Sequence, residues 1–151
     1  MQTKVKGDIS EAKALLEFQK RNIPVAIPWG DKERYDMIIE LNNQFYRIQV
    51  KTANEEENDG TVKCYTRSSH DHTTHKNYFT YDGQVDYFVF YNMKRDAVAI
   101  VPIEDVKDQQ SLSLRFTPPK NNQKNVRYWN DCSLEKILCV EPLPLPCQLD
   151  S

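Results

Sequence analysis

The chain has 151 residues, 39% hydrophobic and 11% aromatic, which suffices for one domain with a buried core. Its 20 basic and 22 acidic residues leave a net charge of −2, against the overall basic excess usual in nucleic-acid binders. No stretch is apolar for long enough to cross a bilayer and the charged N-terminus lacks a signal-peptide run, so the sequence predicts a cytoplasmic protein without a membrane partner.

In chain order, Asp8-Ile-Ser-Glu11 has the capping-box pattern and predicts a helix from Ile9 to Arg21. Ala12, Leu15, Leu16 and Phe18 are its expected buried stripe. Asn22 suits the left-handed stop, and Pro24 forbids continuation. Val25 to Trp29 reads as a short extended edge, interrupted by proline.

Tyr35 to Lys51 reads as two strands joined at Asn42-Asn43, because asparagine tolerates the positive φ of a tight hairpin. That turn sets Asp36 opposite Gln49, with Lys51 its diagonal neighbour. Alternation puts Tyr35, Met37, Ile39, Leu41, Tyr46, Ile48 and Val50 on one apolar face. The other face carries Asp36, Ile38, Glu40, Phe45, Arg47, Gln49 and Lys51.

Thr61 to Thr66 predicts a third strand. Val85 to Tyr91, apolar except for Asp86, predicts a strand buried on both faces. Lys94-Arg-Asp96 turns it into a strand from Ala97 to Val101, and Pro102 ends that strand. Ile103 to Val106 fits one helical turn, Leu112 to Phe116 a further strand, and Ser133 the cap of a short helix through Leu138. The tail from Pro142 is proline-rich. This order predicts an α+β or α/β fold, one central mixed β-sheet flanked by helices, as a single domain over residues 1–151.

An acid, an amide and a lysine converge at one end of the hairpin. The structural alternative is an ordinary solvated strand face. Hard oxygen ligands on a rigid sheet suit Mg²⁺, which keeps several waters and binds one or two carboxylates plus a substrate phosphate. A lysine beside such an ion can position water and stabilise phosphate charge.

Lys6-Gly-Asp-Ile-Ser-Glu11, Tyr35-Asp36 and Gln49-Val-Lys51 together resemble the core of the PD-(D/E)XK nuclease family. Val85-Asp-Tyr-Phe, Val101-Pro-Ile-Glu-Asp and Pro118-Pro-Lys-Asn-Asn-Gln extend the resemblance to its small homing endonucleases encoded in bacterial, including cyanobacterial, group I introns. The likeness covers nearly the whole chain. It implies a restriction-endonuclease-like core and divalent-metal-dependent, sequence-specific cleavage of double-stranded DNA, with Mg²⁺ as cofactor and Mn²⁺ able to substitute. By this resemblance Asp36 is the central metal ligand, Gln49 and the Val50 backbone carbonyl complete the strand contribution, Glu11 is the helical acid and Lys51 is the motif lysine. Two departures stand out. Gln49 is an amide where the family has an acid, and Tyr35 replaces the motif proline. Cutting both strands implies a homodimer or homotetramer on a pseudo-palindromic target.

Charge distribution supplies the expected DNA contacts. From Ser111 to Asn130 there is no acid, and residues 61–81 carry Lys63, Arg67, Lys76 and three histidines against Asp71 alone. Arg67, Lys76, Lys120, Asn122, Gln123, Lys124 and Arg127 are the expected DNA-binding residues, by phosphate contact or by base reading. His70-Asp-His72-Thr-Thr-His75 lacks an evident fourth ligand and is a weak zinc signal. The four cysteines have no zinc spacing and are read as reduced thiols.

Overall fold

The computed structural model describes residues 1–67, 81, 83–121 and 124–144. Helix α1 (Thr3–Gln19) packs on one face of a five-stranded sheet. The sheet order is β1 (Val25–Ala26), β2 (Met37–Leu41), β3 (Gln44–Thr52), β5 (Tyr87–Asn92), β6 (Ala97–Pro102). Neighbours are antiparallel except β3 and β5, so the sheet is mixed. The crossover between those two contains β4 (Thr61–Tyr65), which pairs with β7 (Ser111–Arg115) in a second, two-stranded sheet. A 3₁₀ turn (Ile103–Asp105) follows β6, and another (Trp129–Cys132) leads into helix α2 (Leu134–Leu138).

The central sheet separates two apolar clusters. Ala14 and Phe18 of α1 and Leu134 and Leu138 of α2 cover Ile39, Ile48, Val50, Val89 and Ile100 on one face. Val62, Cys64, Leu112, Leu114 and Trp129 cover Phe88, Phe90, Ala99 and Val101 on the other. Strand β5 therefore contributes to both, which is why it reads as a continuous apolar run. Asp86 is the exception because it caps the start of the parallel pair. Its carboxylate accepts from the Arg47 backbone N–H at 2.7 Å and meets the Arg47 guanidinium at 3.2 Å.

The hairpin forms as its turn chemistry dictates. Asn42 and Asn43 both adopt positive φ, +54° and +64°, and Met37 pairs with Ile48. Tyr35 departs from the expected alternation. It packs with the Phe88 side of the sheet, because the hairpin ladder reaches back only to Asp36 and Tyr35 lies outside it.

Helix α1 departs further. It begins at Thr3, six residues before the expected start, and the capping box is not used. Ser10 donates instead to the Lys6 carbonyl at 2.9 Å and meets the Thr52 hydroxyl at 2.6 Å, tying mid-helix to the end of β3. The buried stripe is Ser10, Ala14 and Phe18, while Ala12, Leu15 and Leu16 face outward. Apolar residues on both sides of the helix make its periodicity ambiguous. Asn22 makes the left-handed stop at φ +55°, and Ser133 caps α2 by accepting from Lys136 N–H. Cys64, Cys132 and Cys139 are free thiols. No described helix is long and apolar enough to cross a membrane.

Candidate active site

The capping-box glutamate faces the hairpin rather than the helix terminus. Glu11, in the middle of α1, brings its carboxyl close enough to that of Asp36, just ahead of β2, for each to shift the other's protonation. Asp36 is fixed from a second side by the Val50 backbone N–H, which donates to Oδ2 at 2.7 Å. Its own N–H donates to the Ile48 carbonyl at 2.8 Å, extending the hairpin ladder by one bond.

Two carboxyls in contact resist ionising together. Burial, then the Asp36 charge and hydrogen bond, and lastly the charge of Asp8 push Glu11 up to about 7. Burial also raises Asp36, against the Val50 N–H, the Glu11 hydrogen bond and the positive charge of Lys51. A cation between the two groups would relieve both effects. The donor set is therefore suited to a hard divalent ion, held by Glu11 and Asp36 with oxygens available from Gln49 and the Val50 carbonyl. The Gln49 side chain shares the strand face of Lys51 and is partly exposed, with no hydrogen-bond partner among the described residues. No cluster of three or more acidic, histidine or cysteine ligands occurs among the described residues, so the amide is the third side-chain donor on offer.

Lys51 is held in place. Its Nζ donates to the Arg67 carbonyl at 2.8 Å and to the Tyr81 hydroxyl at 3.1 Å, and lies 4.9 Å from the Tyr81 ring centroid. The Arg34 guanidinium stacks 4.1 Å from the same ring. Tyr81 thus links the lysine to the segment that precedes Asp36. Nothing in the sequence pattern singled out Tyr81 or Arg34, because neither belongs to the hairpin register and each acts through a tertiary contact.

The expected DNA-contacting residues divide differently. Arg67 abuts the site through its backbone carbonyl, while its guanidinium reaches Gln110 at 3.3 Å and the Tyr65 ring at 5.3 Å. Lys120 lines a groove of about 880 Å³ walled by Glu56, Asp59, Arg95, Arg115 and Pro118, and none of Glu11, Asp36, Gln49 or Lys51 lines it. Its arginines are engaged, Arg95 by Glu56 at 2.5 Å and Arg115 by Asp59 at 3.2 Å. Lys124 is exposed. Arg127 forms an ion pair with Asp105 at 2.6 Å. Lys76, Asn122, Gln123 and the three histidines lie outside the described residues.

A mixed sheet with a helical acid, a strand-end acid and a strand lysine at one edge is the arrangement of a metal-dependent nuclease core. The sequence profile of the PD-(D/E)XK endonuclease family matches residues 1–135, and the chain belongs to that family. Among solved structures, that of a bacterial homing endonuclease, I-Ssp6803I, is similar with a TM-score of 0.68 and 23% identity, covering 84% of this chain and 86% of that one. The likeness establishes the shared fold. No curated protein is recognisably similar.

Proposed function

We propose that this chain is a Mg²⁺-dependent, sequence-specific double-strand DNA endonuclease of the intron-homing kind, in which Mn²⁺ substitutes for Mg²⁺ and which acts on nucleoid DNA in the cytoplasm. The observation that carries the reading is the Glu11–Asp36 carboxyl pair beside an anchored Lys51. Family membership supports nuclease chemistry, and the homing endonuclease of shared fold supports the homing assignment.

Glu11, Asp36, Gln49 and the Val50 carbonyl would hold the divalent ion. That ion, when bound, supplies charge for the scissile phosphate and lowers the pKa of coordinated water. Lys51 places its ammonium where charge accumulates on the phosphate, and the Tyr81 and Arg67 bonds fix its direction before substrate arrives. Asp36 is kept from rotating by the Val50 N–H. The chain acts throughout residues 1–151 as one nuclease domain. Loops and strands around 61–81 and 111–130 meet the duplex, with Arg67, Lys76, Lys120 and Lys124 on phosphates and Asn122 and Gln123 at base edges. Arg127 joins them only by exchanging Asp105 for phosphate.

One such site cuts one strand, so two copies arranged about a two-fold axis cut a pseudo-palindromic duplex, as a dimer or as half of a tetramer. Val5, Ile9, Ala12 and Leu16 form an outward stripe on α1 that suits pairing of copies.

Gln49 motivates a second reading, a DNA-binding protein with a decayed site. Incubating a duplex library with the purified chain, with and without Mg²⁺ or Mn²⁺, separates the two. The endonuclease reading predicts metal-dependent double-strand ends at a recurrent sequence. Binding with no nicking under either ion favours the decayed site, and preferential cutting of a four-way junction would assign the same core to a resolvase.

A further inference from the structure

Tryptophan is a residue that folded chains cover, since its side chain offers some of the largest apolar area of any residue. The two tryptophans here are opposites. Trp129 is 2% exposed and stacks on Phe116, with ring centroids 4.8 Å apart. Trp29 is 102% exposed, so the rest of the chain shields none of it.

The position of Trp29 is set by the sheet. β1 pairs with β2 through Val25 opposite Ile39 and Ala26 opposite Ile38, so the chain leaves β1 at the end of the sheet where Asp36 enters. The connecting loop, Ile27-Pro-Trp-Gly-Asp-Lys-Glu-Arg34, therefore projects from the site's own edge. Ile27 beside it is 62% exposed, and Gly30 turns the chain at φ +87°. The far end of the loop is not loose. Arg34 stacks on Tyr81, the ring whose hydroxyl receives Lys51. An exposed Ile-Pro-Trp tip is thus held by one intermediate ring to the lysine at the candidate centre.

We infer that Trp29 is a DNA-contacting residue that packs its indole against bases in the groove beside the scissile phosphate, with Ile27 and Pro28 as its apolar shoulders. The inference rests on the nuclease reading of the Asp36 site. Apolar side chains inserted at a base step unstack and bend the duplex, which would present the phosphate to a site at a sheet edge. A base face receives an aromatic ring irrespective of sequence. Lys32 and Arg34 alternate with Asp31 and Glu33, so the loop carries no net charge, and it is its place at the edge of the candidate site that assigns it to the duplex.

The contrast between the tryptophans supplies the test. A duplex is first enriched from a random-sequence library by binding to the wild-type chain. Asp36→Asn protein, which the site assignment makes inactive, is then titrated with that duplex in the presence of Mg²⁺. Acrylamide quenching reads Trp29 in the free protein, because Trp129 is shielded. Saturation with DNA should remove the quenchable fraction, and the signal should be absent in Trp29→Phe. Trp29→Ala should bind the duplex about tenfold more weakly while Trp29→Phe keeps most of the affinity. An indole without packing partners can be replaced without unfolding the chain, so lost affinity will not reflect misfolding. Unchanged quenching at saturation together with wild-type affinity for Trp29→Ala overturns the inference and leaves the nuclease reading standing. Loss of quenching on raising protein concentration without DNA assigns the surface to a second copy and also overturns it. Failure to enrich any duplex overturns the nuclease reading and this inference with it.

Discussion

The carboxyls of Glu11 on α1 and Asp36 ahead of β2 lie close enough to act on each other's protonation, although 25 positions separate them in the sequence. Such a pair stores a preference for a proton or a cation. With burial the largest cause of each shift, Glu11 rises to about 7 and Asp36 rises from its usual range.

The pair makes metal-free stability fall with pH. Between the ordinary carboxylate range and about 7, the folded chain holds more protons than the unfolded chain, so the contribution is present at acid pH and lost as pH climbs through the folded value. Divalent ions replace the proton. Scanning calorimetry should therefore show a larger rise in Tm on adding Mg²⁺ or Mn²⁺ at about pH 8 than at about pH 5.5. Glu11→Gln should flatten the metal-free slope. Equal metal effects at both pH values would contradict the pair as the binding locus.

Lys51 and Tyr81 should separate chemistry from positioning. Lys51→Ala should remove cleavage by about a hundredfold or more while leaving duplex affinity within about twofold. Tyr81→Phe deletes the hydroxyl 3.1 Å from Nζ but keeps the ring beneath Arg34. It should lower kcat about threefold to tenfold with KM nearly unchanged. A KM effect from Tyr81→Phe would place the hydroxyl in substrate binding instead.

Gln49→Glu restores a third charge to the donor set. As a ligand position it should bind Mn²⁺ about tenfold more tightly by calorimetric titration, and half-maximal cleavage should need less metal. An unchanged affinity would remove Gln49 from the metal's coordination.

The hairpin turn carries the register of the whole site. Asn43→Val forces a β-branched residue to φ +64° and should cost about 1–3 kcal/mol in denaturant unfolding, whereas Asn43→Gly should be neutral or mildly stabilising. Loss of stability in the glycine variant would contradict the turn geometry.

These residues also show what the sequence made legible. The Asn42-Asn43 turn, the Asp36–Gln49–Lys51 end of the hairpin and the doubly buried β5 follow from local rules of turn chemistry and strand period, and each is present. Glu11 is legible in the sequence as a candidate metal-binding acid only by family likeness. Its local signal, the capping box, points to a helix start that the fold does not use, because Ser10 and Thr52 anchor α1 in mid-helix. Of the stripe expected on α1 only Phe18 is buried, since apolar side chains occupy both faces of the helix. Tyr81 and Arg34 carry no periodic signature, and Arg127 reads as a free cation until Asp105 is seen beside it. Tertiary pairing of that kind leaves no trace in spacing.

The most direct measurement is the rate of duplex cleavage by wild-type and Asp36→Asn proteins on the enriched target, in Mg²⁺ and after chelation with EDTA. The wild type should cut both strands in Mg²⁺ and stop on chelation. Asp36→Asn should bind the same duplex and cut it at least about a thousandfold more slowly. Wild-type rates from Asp36→Asn, or cleavage that survives chelation, would contradict a metal centre built on Glu11 and Asp36.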